Sequence, residues 1–320
     1  MQGVKICGLG KALPDFTVTN DELAKFLDTS DEWIMARTGI RERRISKGET
    51  TTFLATQAAK EAIADGKIEP GLLDYIIVAT VSPDYTMPST ACMVQGAIGA
   101  SNATCFDITA ACSGFIYASE IAVNFIRCGV AKNVLVIGAE VLSKGLDWED
   151  RRTCVLFGDG AGAAIYTASE EEKVLKIVTA SDGSRAMNLT LPALPISHYF
   201  YQSEMKSLTL DMDGHEVYKF ALTEVPKSIK QVVNESGYKV EDIDRFILHQ
   251  ANERIIDSVA NKLKVDTEKF FKNIASYGNT SAATIPIAMT EAKHLFKPGD
   301  KIVLSGFGAG LTWGSMLLVW

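Results

Sequence analysis

The segment that decides the fold runs from residue 103 to residue 129 and contains the sequence ATCFDITAACSGFIYASEIAVNFIRCG. Residues 103–108 have the composition of a strand, and from Cys112 onward the apolar residues recur at helical spacing until Gly129 ends the pattern. This helix is apolar almost all round, so we expect it to lie in the interior of the protein. Cys112 is therefore predicted to lie where a strand turns into a buried helix.

Four further apolar segments predict strands buried in mostly parallel sheets. The segment that starts at residue 244 resembles the one at 74, and the segment at 301 resembles the one at 132, so both pairs recur after roughly 170 residues. We therefore expect two similar halves, residues 1–170 and 171–320, which meet near the charged run at 169–173. The strand segments are 74–79, 132–138, 244–249 and 301–306.

Composition excludes several classes of protein. The chain has 320 residues, of which 47% are hydrophobic, and this excludes a disordered protein. No run of 18 uncharged apolar residues occurs and the sequence begins MQGVKI, so we expect neither a membrane span nor export, and a cytoplasmic location. A net charge of −7 argues against nucleic acid as a partner, although the arginines between residues 37 and 44 suggest a local anionic ligand.

Cys112 is the cysteine whose position suggests chemistry. A thiol at the start of a helix meets unpaired N–H groups that favour the thiolate, whereas apolar surroundings favour the neutral thiol. The sequence does not decide between a nucleophile and a structural cysteine in a tight turn. The chain has no CxxC pair, so we expect the other five cysteines to be reduced and buried and predict no metal site.

Two polar residues in the second half are candidates for the same site. His249 ends a buried strand, and functional groups of α/β sheets collect at the carboxyl ends of strands, but a satisfied core histidine is an equal alternative. Asn279 precedes a helical pattern, so it can also be an ordinary N-cap. The glycines between residues 305 and 314 either close a turn or expose N–H groups toward an oxyanion.

Seven motifs, which follow one another in family order along nearly the whole chain, resemble the thiolase superfamily and specifically β-ketoacyl-acyl-carrier-protein synthase III. The resemblance implies an α/β fold with five layers, αβαβα, built from two duplicated halves, and a homodimer. The motifs are DTSDEWI at 28–34, RTGIRER at 37–43, AACSGF at 110–115, FGDGAGA at 157–163, HQAN at 249–252 with GNTSA at 278–282, and TWGS at 312–315.

The resemblance implies an acyltransferase that uses Cys112, His249 and Asn279. Cys112 takes the acyl group of a short acyl-CoA, and malonyl on acyl carrier protein then loses CO2 and attacks it, which initiates fatty acid synthesis. His249 and Asn279 stabilise the enolate, and the N–H groups of Cys112 and Ala309 form the oxyanion hole. The chemistry requires no cofactor beyond the acyl-CoA substrate.

The resemblance also implies binding residues for both substrates. Trp33 and Arg151 bracket the adenine of CoA, and Arg37 lies near its phosphates, where a guanidinium can pair with them. Lys219 and Arg254 meet the acidic acyl carrier protein.

The resemblance also implies that Met87 and Phe157 border the acyl pocket. Met87 stands where a phenylalanine often reaches across the dimer, so a longer or branched starter is a hypothesis. An alternative function is a related acyltransferase or condensing enzyme of a specialised polyketide or antibiotic pathway. A dinucleotide-binding module is disfavoured, because the glycines at 8–10 and 158–162 do not continue as GxGxxG between a strand and a helix.

Overall fold

The computed structural model describes residues 2–204 and 207–320. Its strands are β1 (Gly3–Ala12), β2 (Thr17–Thr19), β3 (Glu42–Arg44), β4 (Tyr75–Ala79), β5 (Thr104–Ile108), β6 (Asn133–Glu140), β7 (Gly160–Ser169), β8 (Val174–Ser181), β9 (Leu189–Thr190), β10 (Asp211–Met212), β11 (Arg245–Leu248), β12 (Lys301–Gly308) and β13 (Thr312–Val319). Its helices are α1 (Asn20–Leu23), α2 (Asp31–Thr38), α3 (Thr51–Gly66), α4 (Thr90–Ile98), α5 (Gly114–Arg127), α6 (Gly214–Glu235), α7 (Glu253–Leu263), α8 (Ile274–Tyr277) and α9 (Thr284–Ala292).

Two large sheets share one topology. The first has the strand order β1-β7-β6-β4-β5, and the second has the order β8-β13-β12-β11. In each sheet one parallel pair, β4 with β6 or β11 with β12, is followed by two antiparallel strands. Where the first sheet has β5, the second has an isolated bridge between Phe246 and Phe270. The four predicted strands are present as β4, β6, β11 and β12, and the repetition of their order supports a duplicated fold.

The sheets and helices form five layers. Helices α5 and α9 lie between the two sheets, and one apolar cluster joins them to strands of both. Helices α3 and α4 cover the outer face of the first sheet, and α6 and α7 cover the outer face of the second. Each large apolar side chain buried in this way contributes about 1.5–3 kcal/mol. The predicted fold class and the predicted interior position of α5 are confirmed.

Two glycines let the strands approach the starts of the central helices. A Cβ at Gly306 of β12 would lie 3.2 Å from the carbonyl oxygen of Cys112, and a Cβ at Gly138 of β6 would lie 2.1 Å from that of Ala282. Contacts below 3.0 Å force the backbone to move, so Gly138 in particular has no room for a side chain. The starts of α5 and α9 are therefore held directly against the ends of the two sheets.

A fourth apolar cluster beside the sheets contains residues of α1, α2, the antiparallel β2–β3 pair and the loop that ends at Phe157. Arg43 lies inside it, fully buried, and donates to the carbonyl oxygens of Val18 and Val155 and to Asn20. Arg43 is therefore not available to the local anionic ligand that the arginines between residues 37 and 44 suggest.

Two smaller predictions are also wrong. Apolar Leu208, Leu210 and Met212 alternate with polar residues from 207 to 212, a pattern that predicts a half-buried strand. Only Asp211–Met212 forms one, because its partner β9 is two residues long and offers no further residues to pair with. Cys92 and Cys128 are exposed instead of buried, since they lie on α4 and at the C-terminal end of α5. No helix within the two described ranges combines the length and apolar content that crossing a membrane requires.

Candidate active site

Cys112 lies in a single 3₁₀ turn, Ala111–Ser113, between the end of β5 and the start of α5. The turn begins at Ala111 with a φ of 44°, which tightens the change from strand to helix. The hydroxyls of Ser113 and Thr312 form a hydrogen bond of 2.8 Å, which ties the turn to β13. Cys112 is 5% exposed, so a substrate has to reach its sulfur through a cavity.

Burial determines the charge of the Cys112 sulfur. It raises the pKa of the thiol to about 12, and the nearby Glu140 carboxyl raises it further, while the Ser281 hydroxyl acts in the opposite direction. Burial thus outweighs the helix end that the sequence suggested as a source of thiolate. Cys112 is a thiol at neutral pH, so its proton has to leave during the reaction.

His249 follows β11 and extends the pairing of β11 with β12, because its N–H donates to the carbonyl oxygen of Ser305 at 2.8 Å. The ring is buried and packs edge-on against Phe307, with 5.1 Å between ring centroids. Its Nδ1 is 2.7 Å from the Thr284 hydroxyl oxygen at the start of α9. Burial lowers the pKa of His249 to about 3, so the imidazole is neutral at neutral pH.

Asn279 is held by its backbone and by one side-chain oxygen. Its N–H donates to the carbonyl oxygen of Leu156 at 2.8 Å, and its own carbonyl accepts from the N–H of Gly158 at 3.0 Å. The side-chain Oδ1 accepts from the N–H of Ser281 at 2.8 Å, which is the local capping contact that the sequence allowed. Because Oδ1 is occupied, the Nδ2 amino group is the donor that Asn279 can offer to a ligand.

Cys112, His249 and Asn279 line one cavity. The three residues come from the first half, the end of β11 and the turn before α9, so the fold brings together what is distant in sequence. The rest of the wall is largely apolar and suits an acyl chain. It includes Leu156, Phe157, Leu189, Met212, Val217, Tyr218, Ile255 and Phe307.

The loop after β12 lies against the backbone of Cys112. A Cβ at Gly308 would be 2.7 Å from the Cys112 nitrogen, so the glycine leaves the space beside that N–H open. Ala309 follows in the same loop, and its carbonyl accepts from the Thr312 hydroxyl at 2.8 Å. The segment predicted to supply the second oxyanion donor is therefore adjacent to the first donor.

Trp33, Arg37 and Arg151 form one cluster at the surface. The guanidinium carbons of Arg37 and Arg151 lie 4.6 Å and 5.1 Å from the centre of a Trp33 ring. Arg151 also hydrogen-bonds with Asp28. An adenine between Trp33 and Arg151 needs about 7 Å between them, twice a van der Waals separation of about 3.5 Å. Arg151 therefore has to move outward before a base can be bracketed.

The two residues predicted to bind the carrier protein are exposed neighbours of the cavity wall. Lys219 on α6 directly follows Tyr218, and Arg254 on α7 directly precedes Ile255, and both Tyr218 and Ile255 line the cavity. Lys219 forms an ion pair of 2.8 Å with Glu216.

The two residues predicted to border the acyl pocket lie in different places. Phe157 is buried and lines the cavity. Met87 is 86% exposed and lies outside the cavity wall that the described residues form, so a single chain does not bring it to Cys112.

Glu140, Ser281 and Thr284 surround the site but were missed by the sequence analysis. Glu140 is fully buried at the end of β6, where it accepts from the hydroxyl of Ser82 at 2.5 Å and from the N–H of Val81 at 3.1 Å. Burial raises the pKa of its carboxyl to about 7. A carboxylate that directly follows an apolar strand was the signal available for Glu140, whereas Ser281 and Thr284 gave none.

Two separate parts of the chain match the same protein family. Residues 106–183 match the family described as 3-oxoacyl-[acyl-carrier-protein (ACP)] synthase III, and residues 233–320 match its C-terminal part. The chain is 52% identical to the β-ketoacyl-[acyl-carrier-protein] synthase III of Clostridium novyi, with all of both chains covered.

Solved structures give the same result. The 3-oxoacyl-[acyl-carrier-protein] synthase III of Aquifex aeolicus is 48% identical, with a TM-score of 0.93, and 99% of this chain and 100% of that chain are covered. The priming β-ketosynthase of the R1128 polyketide pathway is 31% identical, with a TM-score of 0.94, and 99% of this chain and 96% of that chain are covered.

Proposed function

We propose that the cavity around Cys112 carries out the reaction of the β-ketoacyl-[acyl-carrier-protein] synthase III family, to which this chain belongs. The chain is an acyltransferase with the thiolase fold, and it catalyses the initiating condensation of fatty acid synthesis. Its substrates are an acyl-CoA and malonyl-acyl carrier protein, and its products are a 3-ketoacyl-acyl carrier protein, CO2 and CoA. The atomic steps below assign roles to individual residues.

In the first half-reaction the Cys112 sulfur attacks the thioester carbonyl of a short acyl-CoA. A bond forms between this sulfur and the acyl carbon, and the bond from that carbon to the CoA sulfur breaks. Because the pKa of Cys112 is about 12, its proton leaves as the new bond forms and ends on the departing CoA sulfur, so the half-reaction takes up and releases no net proton. The N–H groups of Cys112 and Ala309 hold the oxygen that becomes negative, beside the space left by Gly308.

In the second half-reaction malonyl-acyl carrier protein enters the same cavity. His249 and the Nδ2 of Asn279 donate hydrogen bonds to its thioester oxygen while the carboxylate leaves as CO2. Both donors are neutral, so they stabilise the growing enolate without holding the carboxylate back. The enolate carbon then attacks the acyl carbon on Cys112. As this carbon–carbon bond forms, the bond from the acyl carbon to the Cys112 sulfur breaks, which releases the 3-ketoacyl product, and the sulfur takes up a proton from solvent to restore the thiol. Carbon–carbon cleavage supplies the carbanion itself, so the proposed reaction uses no metal and no additional cofactor.

Binding of the two substrates is assigned to two separate groups of residues. Trp33, Arg37 and Arg151 are proposed to hold the nucleotide end of CoA, because both guanidinium groups lie over a Trp33 ring. Lys219 and Arg254 are proposed to meet acidic groups of the carrier protein, because they are exposed and adjacent in the chain to residues of the cavity wall. Rim charges of this kind act mainly on the rate of association.

The observation that carries the proposal is the meeting of Cys112, His249 and Asn279 in one largely apolar cavity. Incubation with acetyl-CoA should add one acetyl group to the protein, which intact-mass measurement detects. Addition of malonyl-acyl carrier protein should then remove this group and yield the 3-ketoacyl product. Absence of the adduct, or an adduct that malonyl-acyl carrier protein does not discharge, would refute the proposed reaction.

Asn279→Ala separates the two half-reactions. The acyl adduct should still form, because Asn279 acts on the malonyl thioester, while decarboxylation should fall ~10²–10³-fold on loss of one donor. Release of CO2 from malonyl-acyl carrier protein measures this step. If the substitution instead abolished the adduct and left decarboxylation intact, the assigned role of Asn279 would be wrong.

A polyketide or antibiotic pathway is a second candidate, favoured by the structural likeness to the R1128 priming ketosynthase. That protein is 31% identical to this chain, whereas the synthase III proteins of Aquifex aeolicus and Clostridium novyi are 48% and 52% identical. The initiating enzyme of fatty acid synthesis is therefore the better-supported function.

A homodimer completes the proposal. Strand β5 lies at the edge of the first sheet, and Met87 is exposed a few residues before α4, which packs on β5. In a dimer Met87 would reach the partner's acyl pocket, and its flexible thioether would then admit longer or branched starters. Turnover with isobutyryl-CoA compared with acetyl-CoA measures that preference. A cytoplasmic location fits the use of acyl-CoA and acyl carrier protein.

A further inference from the structure

The proposed function requires His249 to donate a hydrogen bond from the nitrogen that faces the cavity. Nδ1 faces the Thr284 hydroxyl at 2.7 Å, so Nε2 is the nitrogen left for the malonyl thioester. A neutral imidazole carries its proton on one nitrogen only. Nε2 can donate only if Nδ1 carries no proton, and Nδ1 then needs a donor of its own.

The Thr284 hydroxyl has one proton and two acceptors within reach. Its oxygen is 2.7 Å from Nδ1 of His249 and 3.0 Å from the carbonyl oxygen of Ser281. That carbonyl already accepts from the backbone N–H of Thr284. Within residues 2–204 and 207–320, the hydroxyl is the one hydrogen-bond partner of Nδ1. The shorter contact and the unmet need of Nδ1 both direct the proton to His249.

The start of α9 acts in the same direction. Thr284 is the first residue of α9, so Nδ1 points at the N-terminal end of a nine-residue helix. The positive end of the helix dipole favours a lone pair over an N–H group at that position. An unprotonated Nδ1 is therefore preferred both by its hydrogen bond and by the local field.

We propose that Thr284 is a positioning residue, which donates its hydroxyl proton to Nδ1 and so keeps the proton of His249 on Nε2. The inference rests on the proposed function, because it explains how one of the two enolate-stabilising donors is prepared. Ser281 belongs to the same device, since its N–H orients the Asn279 amide. A single turn at the start of α9 thus sets the donor direction of both groups.

The test compares Thr284→Val with Thr284→Ser in the full-length protein. Valine keeps the shape of threonine and removes the hydroxyl, whereas serine keeps the hydroxyl. For Thr284→Val we expect malonyl decarboxylation by the acyl-enzyme to fall about 10–100-fold, as for a weakened electrostatic donor. Acylation of Cys112 by acetyl-CoA should change less than about threefold, because it does not use Nε2–H. Thr284→Ser should stay within about threefold of the original in both steps.

Nitrogen NMR of protein labelled with ¹⁵N-histidine reports the tautomer directly, and only four histidines contribute signals. The original protein should show His249 protonated at Nε2. Protonation at Nδ1, or full decarboxylation by Thr284→Val, would overturn the proposal, as would equal losses in the valine and serine variants. Failure of the proposed function is distinguishable, because the original protein would then form no acyl adduct or no ketoacyl product.

Discussion

The starts of the two central helices have the same backbone and different chemistry. The 3₁₀ turns Ala111–Ser113 and Ser281–Ala283 lie roughly 170 residues apart, as expected for a duplicated half. Each begins at a residue with positive φ, 44° at Ala111 and 50° at Ser281. Each is also approached by a glycine of the neighbouring sheet, Gly306 or Gly138.

What differs is the set of side chains at each turn. Cys112 occupies the position that Ala282 has in the second turn, and the first turn opens into the cavity with His249 and Asn279. The second turn is instead closed by Glu140, whose carboxyl interacts with the Ser281 hydroxyl and with the hydroxyl of Ser82. Duplication thus supplied two tight turns, and side-chain replacement made one of them a reaction site and the other a buried polar network.

Removing the sulfur makes the two turns alike and should have the largest effect. Cys112→Ala should show no acyl adduct by intact mass and a loss of condensation greater than about 10³-fold, because the nucleophile is gone. The double variant Cys112→Ala/Ala282→Cys moves the thiol to the second turn, beside Ser281 and outside the set of residues that line the cavity with His249. It should stay inactive. Acylation of a cysteine at residue 282 would show that the turn alone makes a thiol reactive toward acyl-CoA, without His249 and Asn279 beside it.

The comparison also shows what could be predicted from the sequence. Strands β4, β6, β11 and β12 were predictable, because buried parallel strands are continuous apolar runs. The position of Cys112 followed from the switch of period between β5 and α5. His249 and Asn279 were candidates because of their places at a strand end and before a helix, and the resemblance joined them to Cys112.

Contacts between distant segments could not be predicted. Thr284 reaches His249 and Glu140 reaches the residues after β4 only because the sheets and central helices converge there. Arg43 belongs to a group of arginines that suggests a local anionic ligand, yet it is fully buried and donates to two backbone carbonyl oxygens and to the Asn20 amide oxygen. Local periodicity carries no information about which distant acceptors a side chain will meet.

Glu140, beside the second turn Ser281–Ala283, should make the stability of the protein depend on pH. Burial raises the pKa of Glu140 from 4.5 to about 7, so the folded state binds a proton that the unfolded chain has already released. The free energy of unfolding should therefore fall as pH rises from about 4.5 to about 7, by about 3 kcal/mol in total, and then level off. In the Glu140→Gln variant, residue 140 has no titratable group, so this part of the pH dependence of the free energy of unfolding should be absent.

Urea unfolding of both proteins between pH 4.5 and 8 measures the difference. The original should lose about 3 kcal/mol relative to Glu140→Gln across the window, and the two curves should run parallel above pH 7.5. Parallel curves throughout would mean that the Glu140 carboxyl is not held in the low-dielectric surroundings of the second turn. The acyl adduct on Cys112 should form in both, because Glu140 takes no part in the bonds made or broken there and acts on the thiol only by raising its pKa.

The smallest effect concerns the glycine that keeps the Cys112 amide accessible. A Cβ at residue 308 would lie 2.7 Å from that nitrogen and 3.1 Å from the Cys112 Cβ, so Gly308→Ala has to displace the loop that carries Ala309. We expect acylation of Cys112 to slow about tenfold, less than for complete removal of an oxyanion donor. Gly214→Ala is the matched control, because it lines the same cavity and its Cβ would meet Met212 at an ordinary 3.7 Å. Equal acylation rates for the two variants, measured by rapid quench and intact mass, would show that the oxyanion site does not depend on the approach of residue 308 to Cys112, and the oxyanion donors would then have to be sought elsewhere in the cavity wall.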